Sequence, residues 1–88
     1  VVPRISFFYG ITIAMFWDES GHQTPHLHAA YSGHRASLGL DGTLLAGSLP
    51  PRALKLVRRW ASLHKRELVA NWRRARAQEP LWPIDPLT

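Results

Sequence analysis

The sequence predicts an α+β fold: a four-stranded antiparallel β-meander, then a long amphipathic helical segment, then an extended proline-rich tail. Three observations carry the prediction. Apolar residues recur at every second position through residues 5–17, and again through residues 27–31 and 36–40, which is the strand period. From Leu54 to Ala75 they recur at helical spacing instead, and Pro80, Pro83 and Pro86 exclude a helix from the tail.

In the first segment the odd positions read Ile5, Phe7, Tyr9, Ile11, Ile13, Met15 and Trp17, so one strand face is wholly apolar. The run is long for a strand, and Gly10 marks a bulge or bend that divides it. Asp18-Glu19-Ser20-Gly21 reads as a turn, and Thr24-Pro25 forces an extended entry to the next strand. That strand, residues 26–31, turns Leu27, Ala29 and Tyr31 inward and His26 and His28 outward. Ser32-Gly33 marks a hairpin, and the strand of residues 35–40 follows with Ala36, Leu38 and Leu40 on one side. Asp41-Gly42 is a second hairpin signal. A short strand over residues 43–48 completes a sheet expected to occupy residues 1–49.

Leu49-Pro50-Pro51 ends the sheet and opens a helical segment over residues 50–78, with Ser48 as candidate cap and proline in the first turn. Leu54, Val57, Trp60, Ala61, His64, Leu68, Trp72 and Ala75 fall within an arc of about 120° at the helical period. Arg52, Lys55, Arg59, Arg66 and Arg73 lie opposite. Leu56 and Leu63 interrupt the polar side, and a kink or a two-helix break over residues 62–65 is compatible with the preserved phase. Leu81, Trp82, Ile84 and Leu87 predict that residues 79–88 pack across the domain as an extended segment.

The chain has 88 residues, 45% of them hydrophobic and four of them Trp. That suits one domain, residues 1–88, around a small core. The absence of cysteine excludes disulfide staples and thiolate metal sites. No stretch approaches the ~18 apolar residues of a membrane span, and the first residues lack the layout of a signal peptide. The expectation is a soluble cytoplasmic protein with no membrane partner.

The net charge of +5 and pI near 10.8 are unevenly distributed. Residues 1–50 set Arg4 and Arg35 against Asp18, Glu19 and Asp41, whereas residues 51–88 set nine Lys and Arg against Glu67, Glu79 and Asp85. The excess is therefore helical, and a helix so one-sided in sign predicts an anionic partner, nucleic acid or an acidic protein. No helix-turn-helix or aromatic ribonucleoprotein motif accompanies it, so base-specific reading is not expected.

Three of the five histidines, His22, His26 and His28, fall within seven residues. Three readings of the cluster stay open. Neutral imidazoles at this spacing, with Asp18 or Glu19 nearby, form a weak candidate metal set. Alternatively two of them exchange protons with a phosphodiester while an arginine stabilises the charge, with no metal or other cofactor. In the third reading they occupy the outer face of a strand without chemistry. His34 is expected to be exposed in a turn, and His64 to be buried and bonded to a backbone carbonyl or to the tail.

Pro3-Arg4-Ile5-Ser6, Phe8-Tyr9-Gly10-Ile11, Pro25-His26-Leu27-His28-Ala29, Gly47-Ser48-Leu49-Pro50, Trp60, Leu63-His64 and Asn71-Trp72 occur in this order along the chain. Together they resemble domain of unknown function 4160, a family of small bacterial proteins, over nearly the whole length. The resemblance implies no particular activity. It implies a gene setting similar to toxin-antitoxin pairs, hence a small cognate partner protein and a target in RNA or translation. This chain departs from the family pattern in Thr24 before Pro25, in Leu27 between the histidines, and in its more basic helix.

The leading expectation is accordingly a toxin-like component acting on RNA or the translation apparatus, a metal-independent ribonuclease in type. His26 and His28 would serve as acid and base with His22 in support, and Arg59 and Arg66 would hold phosphate. The alternative is a non-enzymatic antitoxin-like or regulatory module that binds nucleic acid or an acidic partner through Arg52, Lys55, Arg59, Arg66 and Arg73.

Overall fold

Tyr9 and Gly10 both adopt positive φ, 50° and 79°, the pair of left-handed conformations that a two-residue hairpin of matching twist requires. The long apolar run therefore folds back on itself as β1 (Arg4–Phe8) and β2 (Ile11–Ala14), with Phe8 opposite Ile11. This corrects the expected four strands to five, because Gly10 makes a full reversal rather than a bend. The computed structural model describes residues 4–16 and 24–88. The turn expected at residues 18–21, together with His22, lies outside the described residues.

The sheet continues through β3 (His26–Tyr31), β4 (His34–Gly39) and β5 (Leu44–Gly47) in sequence order, every neighbour antiparallel. Ser32 and Gly33 repeat the positive-φ pair, 46° and 83°, at the β3–β4 turn. At the β4–β5 turn Asp41 Oδ1 accepts the Thr43 backbone N–H at 3.0 Å. That bond holds the Asp41 carboxyl below the usual carboxylate range.

Two helices follow, α1 (Pro51–Leu63) and α2 (Lys65–Arg76). Proline suits the first turn because its missing N–H would have no helical partner there. Pro50, not Ser48, occupies the capping position, and Ser48 donates its backbone N–H to Arg35 O at 3.0 Å. The break falls on His64, whose ψ of 28° leaves the helical region, yet His64 N still reaches Trp60 O and Leu68 N still reaches His64 O. The apolar stripe consequently stays in register across the break. Neither described helix is long and apolar enough to cross a membrane.

The stripe packs on one face of the sheet. Cross-strand rows Ile13–Ala29–Ala36 and Leu27–Leu38 meet Ala53, Val57, Trp60, Ala61 and Leu68, all buried. Trp60 is fully buried against Phe8, ring centroids 5.4 Å apart, and its Nε1 donates to Asp85 O at 2.8 Å. Asn71, also without solvent exposure, donates its amide to Trp82 O and accepts from Trp82 N and Arg74 Nη1 at 2.8 to 2.9 Å. Its side chain thus stands in for a backbone partner where the chain after α2 would otherwise bury unpaired groups. Ile84 N donates to Ile5 O at 2.8 Å, against β1. Leu56 rests against the core despite its helical phase, and Leu63 is exposed.

Gly47 is where backbone approaches backbone most closely. A Cβ built there would lie 2.2 Å from Arg35 O, and φ is 74°. At Gly10, φ 79°, the nearest atom is a flexible Tyr31 ring carbon at 3.4 Å. Gly10→Ala is expected to cost only the left-handed strain, about 1 kcal/mol. Gly47→Ala adds displacement of β4 backbone and is expected to cost at least about 3 kcal/mol; urea midpoints of the two variants measure the difference.

Candidate functional site

Residues paired across an antiparallel sheet project to the same face, so register decides what stands beside each histidine. Ala14, His28, Ser37 and Ala46 form one outward row across β2 to β5, and Arg4 pairs with Ala14. The neighbouring outward row is Phe7, Thr12, Ala30 and Arg35. The helices cover the other face; in these rows Arg4, Phe7, Arg35 and Ala46 are exposed, Thr12, His28, Ala30 and Ser37 half-buried and Ala14 buried. Small side chains along them leave a trough of about 560 Å³, walled by Phe16 and His28 and reached by Arg35 and Ser37.

His26 and His28 do share a face, with ring centroids 5.0 Å apart, but they differ in access. His26 begins β3 at the end of the sheet, and Trp72 from the apolar stripe of α2 lies 5.2 Å from its ring. It is 6% exposed, and its Nδ1–H donates to Thr24 O at 2.7 Å, which leaves Nε2 as the acceptor of the neutral ring. His26 is thereby built into the structure, whereas His28 is half-buried and borders the trough. Phe16 sits edge-on to the His28 ring at 4.4 Å, and Ser37 Oγ is 3.3 Å from Nδ1.

His22 falls outside the described residues, and the candidate three-histidine metal set depended on it. Among the described residues no group of three His, Asp or Glu converges as metal ligands. His34 is exposed. His64 corrects its expectation: its Nδ1 lies 2.6 Å from Glu67 Oε1 one turn on, not against a carbonyl or the tail. The i,i+3 geometry of a helix puts that carboxylate within closer reach than either.

The helical cations sort into two kinds. Arg58 donates Nε–H to Gly42 O at 2.9 Å, tying α1 to the β4–β5 turn. Arg74 bonds Asn71 and lies 3.8 Å over the Trp82 ring. By contrast Arg52, Lys55, Arg59, Lys65, Arg66, Arg73 and Arg76, among them the five expected to meet phosphate or a partner (Arg52, Lys55, Arg59, Arg66 and Arg73), are exposed and make no ion pair among the described residues. Around the α1–α2 break, Arg66 and Arg73 border a concave elbow of about 850 Å³ with the exposed Leu63.

The structure does not bring these five cations to the histidines, because the apolar stripe and the sheet stand between them. The cation it brings to His28 is Arg35, which the sequence reading left out. Alternation in β4 was the available signal: Arg35 and Ser37 have opposite parity to the apolar Ala36 and Leu38, as His28 does to Leu27 and Ala29.

A five-stranded antiparallel sheet, covered by helices on one face and open on a face bearing His28, defines an α+β domain with two unlike surfaces. Residues 10–73 match the family model described as Domain of unknown function (DUF4160), and the chain belongs to that family. The matched span runs from the β1–β2 turn into α2 and includes His26 and His28. No curated protein and no solved structure matches the chain.

The unequal environments of the two histidines separate their mutants. His26→Ala removes a buried ring, its hydrogen bond and its contact with Trp72, and is expected to cost about 2 to 3 kcal/mol. His28→Ala is expected to cost about 1 kcal/mol or less. Urea unfolding of both variants checks the order.

Proposed function

We propose that this protein is a toxin-like, RNA-engaging component of a bacterial two-gene module, working in the cytoplasm beside a small cognate partner. Contact with RNA phosphates is assigned to Arg52, Lys55, Arg59, Arg66 and Arg73. The observation that carries this reading is the sorting of cations just described. Arg58 and Arg74 make internal bonds, while these five, together with Lys65 and Arg76, are exposed over two helices that together measure roughly 35 Å at the usual rise per residue. Glu67, the one acid in those helices, is engaged by His64. Such a surface attracts a polyanion without reading its sequence.

A hydrolytic version of this activity rests on His28 rather than on a matched pair. His28, Ser37 and Arg35 share the open trough, and they supply a proton carrier, a hydroxyl and a fixed positive charge. His26 orients the cluster from behind, since Thr24 and Trp72 enclose it. Expressing wild type, His28→Ala and Arg35→Gln in a bacterial host and recording growth with total RNA integrity tests the hydrolytic version. It predicts toxicity and RNA loss in the wild type alone; equal growth with intact RNA in all three overturns it and leaves RNA binding standing.

For binding itself, five neutralised phosphates predict a slope of about −3.5 in log K against log salt for single strands, hence roughly 100-fold weaker binding at 200 mM than at 50 mM salt. Arg59→Gln with Arg66→Gln is expected to reduce the slope by about 1.4. Fluorescence anisotropy with labelled RNA measures both, and salt-independent binding would redirect the surface to a protein partner.

A further inference from the structure

The open sheet face has a composition that the trough alone does not convey. Residues 1–50 contain just two Lys or Arg, Arg4 and Arg35, and cross-strand register places both on this face. None of the described strand residues is acidic. The half of the chain with the negative balance therefore presents a positive sheet surface.

The aromatic residues follow the same pattern. Phe7 heads the row Phe7, Thr12, Ala30, Arg35 and is 54% exposed. The Arg4 guanidinium lies 5.8 Å from the Phe7 ring centroid. Phe16 stands at the far side, beside His28. Beyond Phe7 in its row, Thr12 and Ala30 are short, half-buried side chains that line the trough, with Ala14 buried beside them. An exposed Phe in mid-strand is costly to leave in water.

We propose that this face is a platform for single-stranded RNA, with bases stacked on Phe7 and Phe16 and the backbone held by Arg4 and Arg35. The proposal rests on the RNA reading above, but it assigns a different surface from the helical cations and a different kind of contact. Charge complementarity selects a polyanion, and the two rings require bases that are not already paired. From Phe7 to Arg35 the row spans three strand spacings, ~14 Å, room for the two or three bases that an aromatic-bearing sheet stacks in other RNA-binding folds. Preference for unpaired RNA would then come from the sheet, while the helices hold any phosphate backbone.

The test uses the full chain and two labelled probes, a 12-nucleotide mixed-sequence RNA and the same RNA annealed to its complement. Phe7→Leu keeps apolar volume but removes the ring, Phe7→Tyr restores it, and Arg35→Gln removes the charge from an exposed side chain. Phe7→Leu is expected to weaken single-strand binding about tenfold, with Phe7→Tyr at wild-type affinity and duplex binding unchanged. Arg35→Gln is expected to weaken single-strand binding several-fold and to lower its salt slope by about 0.7. Wild-type affinity of Phe7→Leu and Arg35→Gln for the single strand, with loss in Arg59→Gln/Arg66→Gln, overturns the platform and leaves the helical reading intact. Equal weakening of duplex and single strand by Phe7→Leu also overturns it, since a ring that stacks bases cannot serve a paired probe. Failure of the wild type to bind either probe overturns both.

Discussion

The burial of one continuous apolar stripe against one face of the sheet is the constraint on which the rest of the molecule depends. Trp60 lies at its centre, fully buried, touching Phe8 from the first hairpin and bonding Asp85 near the C-terminus. A sheet of five strands needs such cover to be stable, because neither layer alone can bury its apolar side. A single kinked segment can cover only one face. The other face therefore stays open, and the cations opposite the stripe are turned outward.

That division explains why the histidines and the helical arginines do not form one site. His28 projects from the face that the helices leave uncovered, and Arg52, Lys55, Arg59, Arg66 and Arg73 project from the far side of the helices, with the core between them. Arg35 lines the same trough as His28 because it occupies the next strand at the right parity. His26 has a different role from His28 although two residues separate them. Its place at the start of β3 brings it under Trp72, and enclosure there fixes one ring nitrogen on the Thr24 carbonyl.

The residues after α2 are held by apolar contacts, with Ile84 in the core and Leu81 and Leu87 packed against it, and by polar ones. Asn71 pairs both backbone groups of Trp82, Arg74 lies over the Trp82 ring, and Ile84 bonds Ile5. The Ile84–Ile5 bond sets the chain against the outer side of β1, an edge of the sheet. At the other edge β5 pairs with no further strand among the described residues, and it is short, bulged and bent at Gly47, which limits further pairing.

Periodicity in the sequence determined the strand and helix periods, the inward and outward sets of β3 and β4, the apolar stripe with Trp60 at its centre, and the separation of the basic half from the histidine half. These are local properties, legible because side-chain direction follows from spacing alone. Tertiary structure decided what spacing cannot encode. Gly10 as a bulge or as a full reversal differs by the left-handed conformation of Tyr9, a residue with no intrinsic preference for it. Trp72 covering His26, Glu67 engaging His64, Asn71 clasping Trp82 and Arg35 arriving beside His28 all join residues whose distance in the chain bears no relation to their distance in the fold. Their partners were set by register and by which face the stripe buried, so the outward row of His28 and Ser37, with Arg35 in the row beside it, exists only once the sheet is assembled.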